Sequence, residues 1–486
     1  MGVKGLQHFM DSCCPAACVT VSLRDMARHD VTQRLQGCAS TANATSPTLV
    51  VDGMACLRSW YSCKDWVCGG QWREYMDVLR GWVEAFTSAG IRLVFFFDGV
   101  VEEKKRQVWV KRRRRVNGEI SKVFRHMKAC GEQPGRELFC LPSGLATFTC
   151  FALRSLGQEV FCSVREADYE IASYARQHGC MGILGQDSDF IIYDSAPYLS
   201  VAKLRMDSLT TVMYDRHGLC RAIGLTVAQL PLLACLLGND VVSEEKMQHI
   251  RNEAMAAYRT NHHTTHSGAP PGQKVLAVSH LVSSLWGREE QENELIPQSL
   301  VVSAPHRELL KSGVCSYLLS GHHTDISAQP FAFEKHVSPE IFKACREKHV
   351  ATEGFMVYSV VCQGVIECSN TLEDEEDAEL LPQAVVYKPC RQRIYGLLLL
   401  HGRDDEQPSL DLLWFGIGPE VSTLRVMSFL SIFDCQEFCD LYGDVEDALL
   451  AALCLVTYIV LQVASTISCF SDSVDDKKAS SSSPMI

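Results

Sequence analysis

Two apolar runs, LVV within TLVVD at residues 48–52 and LVFFF within IRLVFFFD at residues 91–98, each closed by an aspartate, limit what this chain can build. A strand with one wet face alternates apolar and polar residues. A run that is apolar at every position needs cover on both faces, the condition found inside parallel sheets. Two further runs, QEVFCS at 158–163 and MGILG at 181–185, bracket the helical stretch READYEIASYARQHG. Between the first two runs, Trp72, Tyr75, Leu79, Trp82 and Phe86 recur near helical spacing. This alternation predicts an α/β domain whose parallel sheet is flanked by helices.

The 486 residues leave room for more than one domain, and 47% hydrophobic with 21% charged residues describes a globular chain. The expected organisation is a sheet domain over 1–250, a helical extension and linker over 251–353, a smaller α+β domain over 354–470 and a disordered tail over 471–486. The smaller domain shows two strand-like runs, FMVYSVVCQGVIEC and RIYGLLLL, and the acidic run LEDEEDAE at 372–379 reads as a solvated loop. His262, His263 and His266 fall in a polar, Pro/Gly-bearing stretch that reads as loop rather than metal site, and GHHTDISAQP reads as a linker. The N-terminus lacks an apolar signal region, so the 23 cysteines read as reduced thiols; neither CxxC pairs nor zinc-finger spacings occur. Residues 448–470 are long enough to span a bilayer. Their polar content and the acids Asp444, Glu446 and Asp447 at their start favour a buried core helix, and no membrane partner is expected.

In an open parallel sheet, ligands bind beyond the carboxyl ends of the strands. Acids stand at those ends here. Asp52 and Asp98 close the first two runs, Glu166 and Asp168 follow the third, and Asp187 and Asp189 follow MGILG. Asp240 ends the apolar run PLLACLLGND. One aspartate after a strand is more often a helix cap or turn than a ligand. Recurrence at successive strand ends favours a shared site, and acids so gathered repel unless a cation lies between them. Hard divalent ions with oxygen ligands answer that need.

Residues 101–128 hold eleven Lys or Arg against three Glu, a net of +8 inside a chain of net −12. Three readings stand side by side: contact with phosphates, a nuclear import signal at KRRRR (111–115), or a solvated helix face. Trp109 either stacks on a base or packs inward. The overall negative charge argues against a general nucleic-acid coat.

MGVKGL, VVDGM, FFFDG, the READ turn, GQDSD and LLGND together resemble the flap-endonuclease and XPG nuclease family over residues 1 to about 245. The resemblance implies a PIN/flap-endonuclease-like fold. It implies a site for two Mg²⁺ (or Mn²⁺) ions at Asp52, Asp98, Glu166, Asp168, Asp187, Asp189 and Asp240. It also implies phosphate contacts from Lys105 and Arg112, Gly2 close to the site, and a flap or single-stranded nucleic acid reaching it through residues 101–128. One departure is plain. That family grips duplex DNA with a glycine-rich helix–two-turn–helix after its last aspartate, whereas VVSEEKMQHIRNEAMAAYR here contains no glycine.

A second resemblance runs through both domains, up to about residue 470. GGQWREY, PSGLATFTCFALRSLGQE, LPLLACLLGND and IECSNTLEDEEDAELLPQAVVYKPCRQRIYGLLL resemble a family of nuclear-receptor coactivators that carry a nuclease-like domain. It implies a nuclear protein that raises the output of nuclear receptors, the peroxisome proliferator-activated receptor gamma and the estrogen receptor among them, with a role in adipogenesis. LACLL at Leu233–Leu237 fits the receptor-binding pattern LxxLL, but its apolar surroundings predict burial.

Overall fold

The computed structural model describes residues 2–37, 46–62, 65–101, 103–261, 272–286, 295–319, 337–354, 356–366, 370–378, 380–399 and 409–480. The chain divides into two compact units. The first comprises residues 1–112, 144–326 and 350–352, and the second 113–143, 327–349 and 353–486.

The first unit opens with α1 (Leu6–Cys13), β1 (Cys18–Ser22), α2 (Leu23–Gly37), β2 (Thr48–Asp52), α3 (Gly53–Trp60), α4 (Trp72–Thr87), β3 (Arg92–Phe97) and the start of α5 (Glu103–Cys130). It continues through α6 (Leu145–Ser155), β4 (Glu159–Cys162), α7 (Ala167–Gln177), β5 (Gly182–Gly185), α8 (Asp189–Ile192), β6 (Tyr198–Ser200) and β7 (Thr210–Tyr214). It closes with α9 (Arg216–Ile223), α10 (Leu230–Leu237), α11 (Gln248–Asn261), α12 (Gln273–Leu285) and α13 (Ala304–Cys315).

The seven strands form one sheet in the order β1-β7-β6-β5-β2-β3-β4. β6, β5, β2, β3 and β4 run parallel, with Val51 opposite both Phe95 and Leu184. Both faces of β2, β3 and β5 are covered, as their apolar runs require. Val50, Val94, Phe96 and Ile183 join one buried cluster with Leu6, Ile171 and Phe190. On the other face, Phe95 meets the rings of Trp60 and Trp82 at 6.1 and 5.9 Å. The chain leaves β2 toward β3 and β4, then returns to β5 on the other side. That reversal opens a crevice at the carboxyl ends of β2 and β5.

The sheet is mixed, not wholly parallel: β7 runs antiparallel to both β6 and β1. These strands escape sequence reading because β6 has three residues and β1 is half-exposed without clean alternation. Among the described residues, the cysteines whose side chains are placed are free thiols, and no single helix is long and apolar enough to cross a membrane. The histidines His262, His263 and His266 and the stretch GHHTDISAQP lie outside the described residues.

The second unit holds the rest of α5, then α14 (Pro339–Val350), α15 (Val357–Gln363), α16 (Gln383–Val386), α17 (Lys388–Leu399), α18 (Leu410–Phe415), α19 (Pro419–Phe433) and α20 (Asp447–Ser480). The described residues contain no strand here, so the expected α+β domain is helical among them, with α15 over Val357–Gln363 of the first strand-like run and α17 over 393–399 of the second. In α17 the buried residues Cys390 and Leu398 lie eight apart, a helical period, and Arg393 donates to the Ile432 carbonyl at 3.1 Å. Two apolar strands without a third make a marginal sheet, whereas helices can bury the same residues against α19 and α20.

α20 corrects two further expectations. It is not a core helix throughout. Leu450, Cys454 and Tyr458 form a buried stripe, while Leu449, Val456 and Val460 are 61, 58 and 58% exposed. It also runs on to Ser480, through part of the tail read as disordered, with no Gly or Pro to stop it. Residues 481–486 lie outside the described residues. The acidic run 372–379, read as solvated, is docked against α5: Asp374 is buried and paired with Lys128 at 2.5 Å.

Candidate metal centre

Six of the seven acids reach the crevice because a strand ends beneath them, and Asp240 follows the end of α10. Asp52 closes β2, where its carboxylate accepts from the Ala55 amide at 3.1 Å and caps α3. The turn between β4 and α7 is tied by Glu170, whose Oε1 accepts from the Val164 and Arg165 amides at 2.9 and 2.7 Å. Glu166 then sits at the cap of α7 and Asp168 in its first turn. After β5, Asp187 accepts from the Asp189 amide at 3.0 Å and starts α8.

The N-terminus completes the floor. Gly2 donates its amide to Asp187 Oδ2 at 3.1 Å, and Val3 donates to Ser188 Oγ at 2.9 Å. Gly2 has φ +46°, and a Cβ there would collide with Asp187 and Ser188, so only glycine fits without strain. The Lys4 amide bonds the Gly238 carbonyl at 2.9 Å, which brings the end of α10, and with it Asp240, to the same rim.

Asp52, Asp98, Glu166 and Asp240 lie within electrostatic reach of Asp168, Asp187 and Asp189 or of one another at this edge. Carboxylate oxygens of Asp168, Asp187 and Asp189 lie within 4.8 Å of one another. Burial, then Asp98, hold the Asp52 carboxyl up to about 7, with Asp187 adding to the rise. Burial and Asp187 likewise push Asp189 up to about 7. Asp168 is raised well above the carboxylate range by burial and by Asp187, Asp189 and Asp52. Asp98 is raised by burial and Glu166. Crowded acids lifted in this way want a cation, and oxygen-only donors suit a hard divalent ion.

The predicted cations lie on the rim. Lys105 Nζ is 2.6 Å from Glu166 and 3.8 Å from Asp240. Burial works to lower the Lys105 pKa, and Glu166, Asp240 and Asp168 together outweigh it, so the ammonium is held charged. Arg112 approaches Asp240 at 3.3 Å. Trp109 is half-buried on the same helix.

Tyr317 was not legible in the sequence. Its hydroxyl donates to Asp189 Oδ1 at 2.6 Å and accepts from Asn239 Nδ2 at 3.0 Å. Asn239 in turn accepts from the Val241 and Val242 amides at 3.0 and 2.7 Å. Asn239 carried a signal, its place in LLGND. Tyr317 carried none, being 128 residues from Asp189 with no motif around it. A cavity of about 180 Å³ opens between Lys105, Glu166, Asp168, Asp189, Tyr193 and Tyr317.

Residues 99–267 match the family described as XPG domain containing, and residues 223–321 the FAM120A-like domain. Among solved structures, the chain is similar to the catalytic core of Rad2 in complex with DNA substrate (17% identity, 65% of this chain and 94% of that one, TM-score 0.32). It is also similar to the Holliday junction-resolving enzyme GEN1 in complex with product DNA and Mg²⁺ (14% identity, 90% and 80%, TM-score 0.36). Likenesses that distant decide nothing about the site. The constitutive coactivator of peroxisome proliferator-activated receptor gamma of Homo sapiens is 47% identical over 69% of this chain and 35% of its own length. The Bos taurus protein of that name is 37% identical over 95% of this chain and 79% of its own length. At that identity and extent, the chain belongs to the family of the constitutive coactivator of peroxisome proliferator-activated receptor gamma.

Proposed function

We propose that this chain is a nuclear coactivator that raises the transcriptional output of nuclear receptors, with the peroxisome proliferator-activated receptor gamma as first partner, the estrogen receptor as a second and adipogenesis as the setting. The nuclease-like sheet serves it as a scaffold. The observation that carries this reading is the likeness to the Bos taurus coactivator across 95% of the chain. Nuclear import is supported by the run Lys111–Arg115, in which Lys111, Arg114 and Arg115 are exposed. LACLL is not the receptor contact on this reading, since all eight residues of α10 are buried. In cells carrying a receptor-driven reporter, expression of the chain is expected to raise output over empty vector and to bring the receptor down with the chain. Unchanged output with the chain present in the nucleus would count against it.

The gathered carboxylates support a second reading, a Mg²⁺-dependent nuclease on flap or single-stranded nucleic acid. Asp98, Glu166, Asp168, Asp187 and Asp189 would hold the ions directly or through water, with Asp52 and Asp240 at the edges. When bound, such ions supply the Lewis acidity that phosphodiester hydrolysis needs. Lys105 and Arg112 would hold a phosphate, and to do so each must give up its carboxylate partner on the rim. Incubation with labelled 5′-flap and single-stranded DNA in Mg²⁺ or Mn²⁺, beside Asp187→Asn/Asp189→Asn, tests this. Cleavage lost in the variant supports it, and no cleavage by the wild type removes it.

A further inference from the structure

The acidic run contacts the basic helix at several points, all within the second unit. Glu373, Asp374, Glu375, Glu376 and Asp377 fill five successive positions. Asp374 Oδ2 lies 2.5 Å from Lys128 Nζ, and Glu376 Oε1 lies 3.1 Å from Arg125 Nε. Asn370 fastens the other end, accepting from Arg113 Nη1 at 3.2 Å, donating to the Arg113 carbonyl at 3.0 Å and bonding Asn117. The segment is braced internally, with Glu376 donating its amide to Asp374 Oδ1 at 3.1 Å. Glu373 accepts from the Gln383 amide at 2.8 Å, where α16 begins. The hydrogen bond to Asp374 raises the Lys128 pKa, and the same bond lowers that of Asp374.

We infer that residues 370–378 are a built-in competitor on the basic face of α5, seated where the phosphates of a single-stranded nucleic acid bind when they displace it. Three observations carry this. First, both cations stay open to solvent: Lys128 keeps 53% of its exposure over a buried Asp374 side chain at 7%, and Arg125 keeps 61% beside Glu376 at 51%. An incoming phosphate can therefore reach both cations before the acids leave. Second, the occupant is one non-helical chain lying along one helix, so the seat fits a single strand and not the two rails of a duplex. Third, the anchors from Arg113 to Lys128 span about 22 Å of helix. Exposed ion pairs along it are individually weak and exchange readily with a polyanion, which gains from counterion release. Arg114, in the same unit, is exposed next to the covered stretch. Receptor coactivation is not needed for any of this.

The test uses the full chain and a fluorescein-labelled oligo-dT of about 20 nucleotides, followed by anisotropy. Asp374→Asn/Glu376→Gln is expected to bind about tenfold more tightly than wild type at low salt, with a salt dependence steeper by about 1.4, two phosphates' worth. Equal affinities, or no binding by either folded protein, would overturn the inference. Limited proteolysis of the wild type gives an answer that no variant can confound. Cleavage within residues 370–378 is expected to speed up at least threefold when oligo-dT is saturating. A segment that stays protected while anisotropy reports bound oligo-dT would overturn it equally.

Discussion

Asp189 stands under opposed influences. Burial and Asp187 push its carboxyl up to about 7, and the Tyr317 hydroxyl pulls the other way by donating to the ionised form. Asp52, also near 7, is raised by burial and Asp98. Carboxylates in an unfolded chain titrate near ~4, so between that value and 7 the folded chain binds more protons than the unfolded one. Stability therefore falls as pH rises through that window, and the cost is fully present above it. In EDTA, the melting temperature of the wild type is expected to drop between about pH 5 and about pH 8, and Asp189→Asn to drop less. Parallel curves for the two proteins would show that Asp189 is not the group responsible. Tyr317→Phe strands the Asn239 amide and removes a donor from a buried acid, at an expected cost of about 1–3 kcal/mol in urea unfolding. An unchanged midpoint would mean that the Val242–Asn239–Tyr317–Asp189 chain contributes nothing to the fold.

At the scale of elements, the runs that read most clearly were those buried on both faces. β2, β3 and β5 have almost no polar residue to confuse the period, and their closing acids fell where a parallel sheet collects its ligands. The short or half-exposed β1, β6 and β7 gave no such pattern. In the second unit the same apolar richness misled. A short apolar run satisfies a strand or a helix equally, and what α15 and α17 pack against, not their own composition, decides between them. Tyr317 shows the same limit at the site, because a contact across 128 residues leaves no local mark. α10 was legible as buried, and Leu233 is 0% exposed within it. Leu233→Ala is expected to destabilise the chain by about 2–5 kcal/mol in urea unfolding, as a core truncation does. A receptor-specific loss of function with stability intact would mean instead that LACLL leaves the core to dock.

On the scale of the whole molecule, charge is segregated within a chain of net −12. Acids close the parallel strands of the first unit, and a basic helix is answered by an acidic segment in the second. In the first unit the rim cations already partner the cluster, with Lys105 on Glu166 and Asp240 and Arg112 on Asp240. The family relationship covers both units, beyond the nuclease-like portion alone. Coactivation is accordingly ascribed to the scaffold and not to phosphodiester chemistry. The measurement that bears most directly on that claim is receptor-driven reporter output for the wild type and Asp187→Asn/Asp189→Asn at matched nuclear abundance. Output within about twofold of wild type, under ~0.5 kcal/mol in equilibrium terms, is the predicted result. A collapse of output with the variant folded and present in the nucleus would contradict it and place the metal centre at the heart of the function.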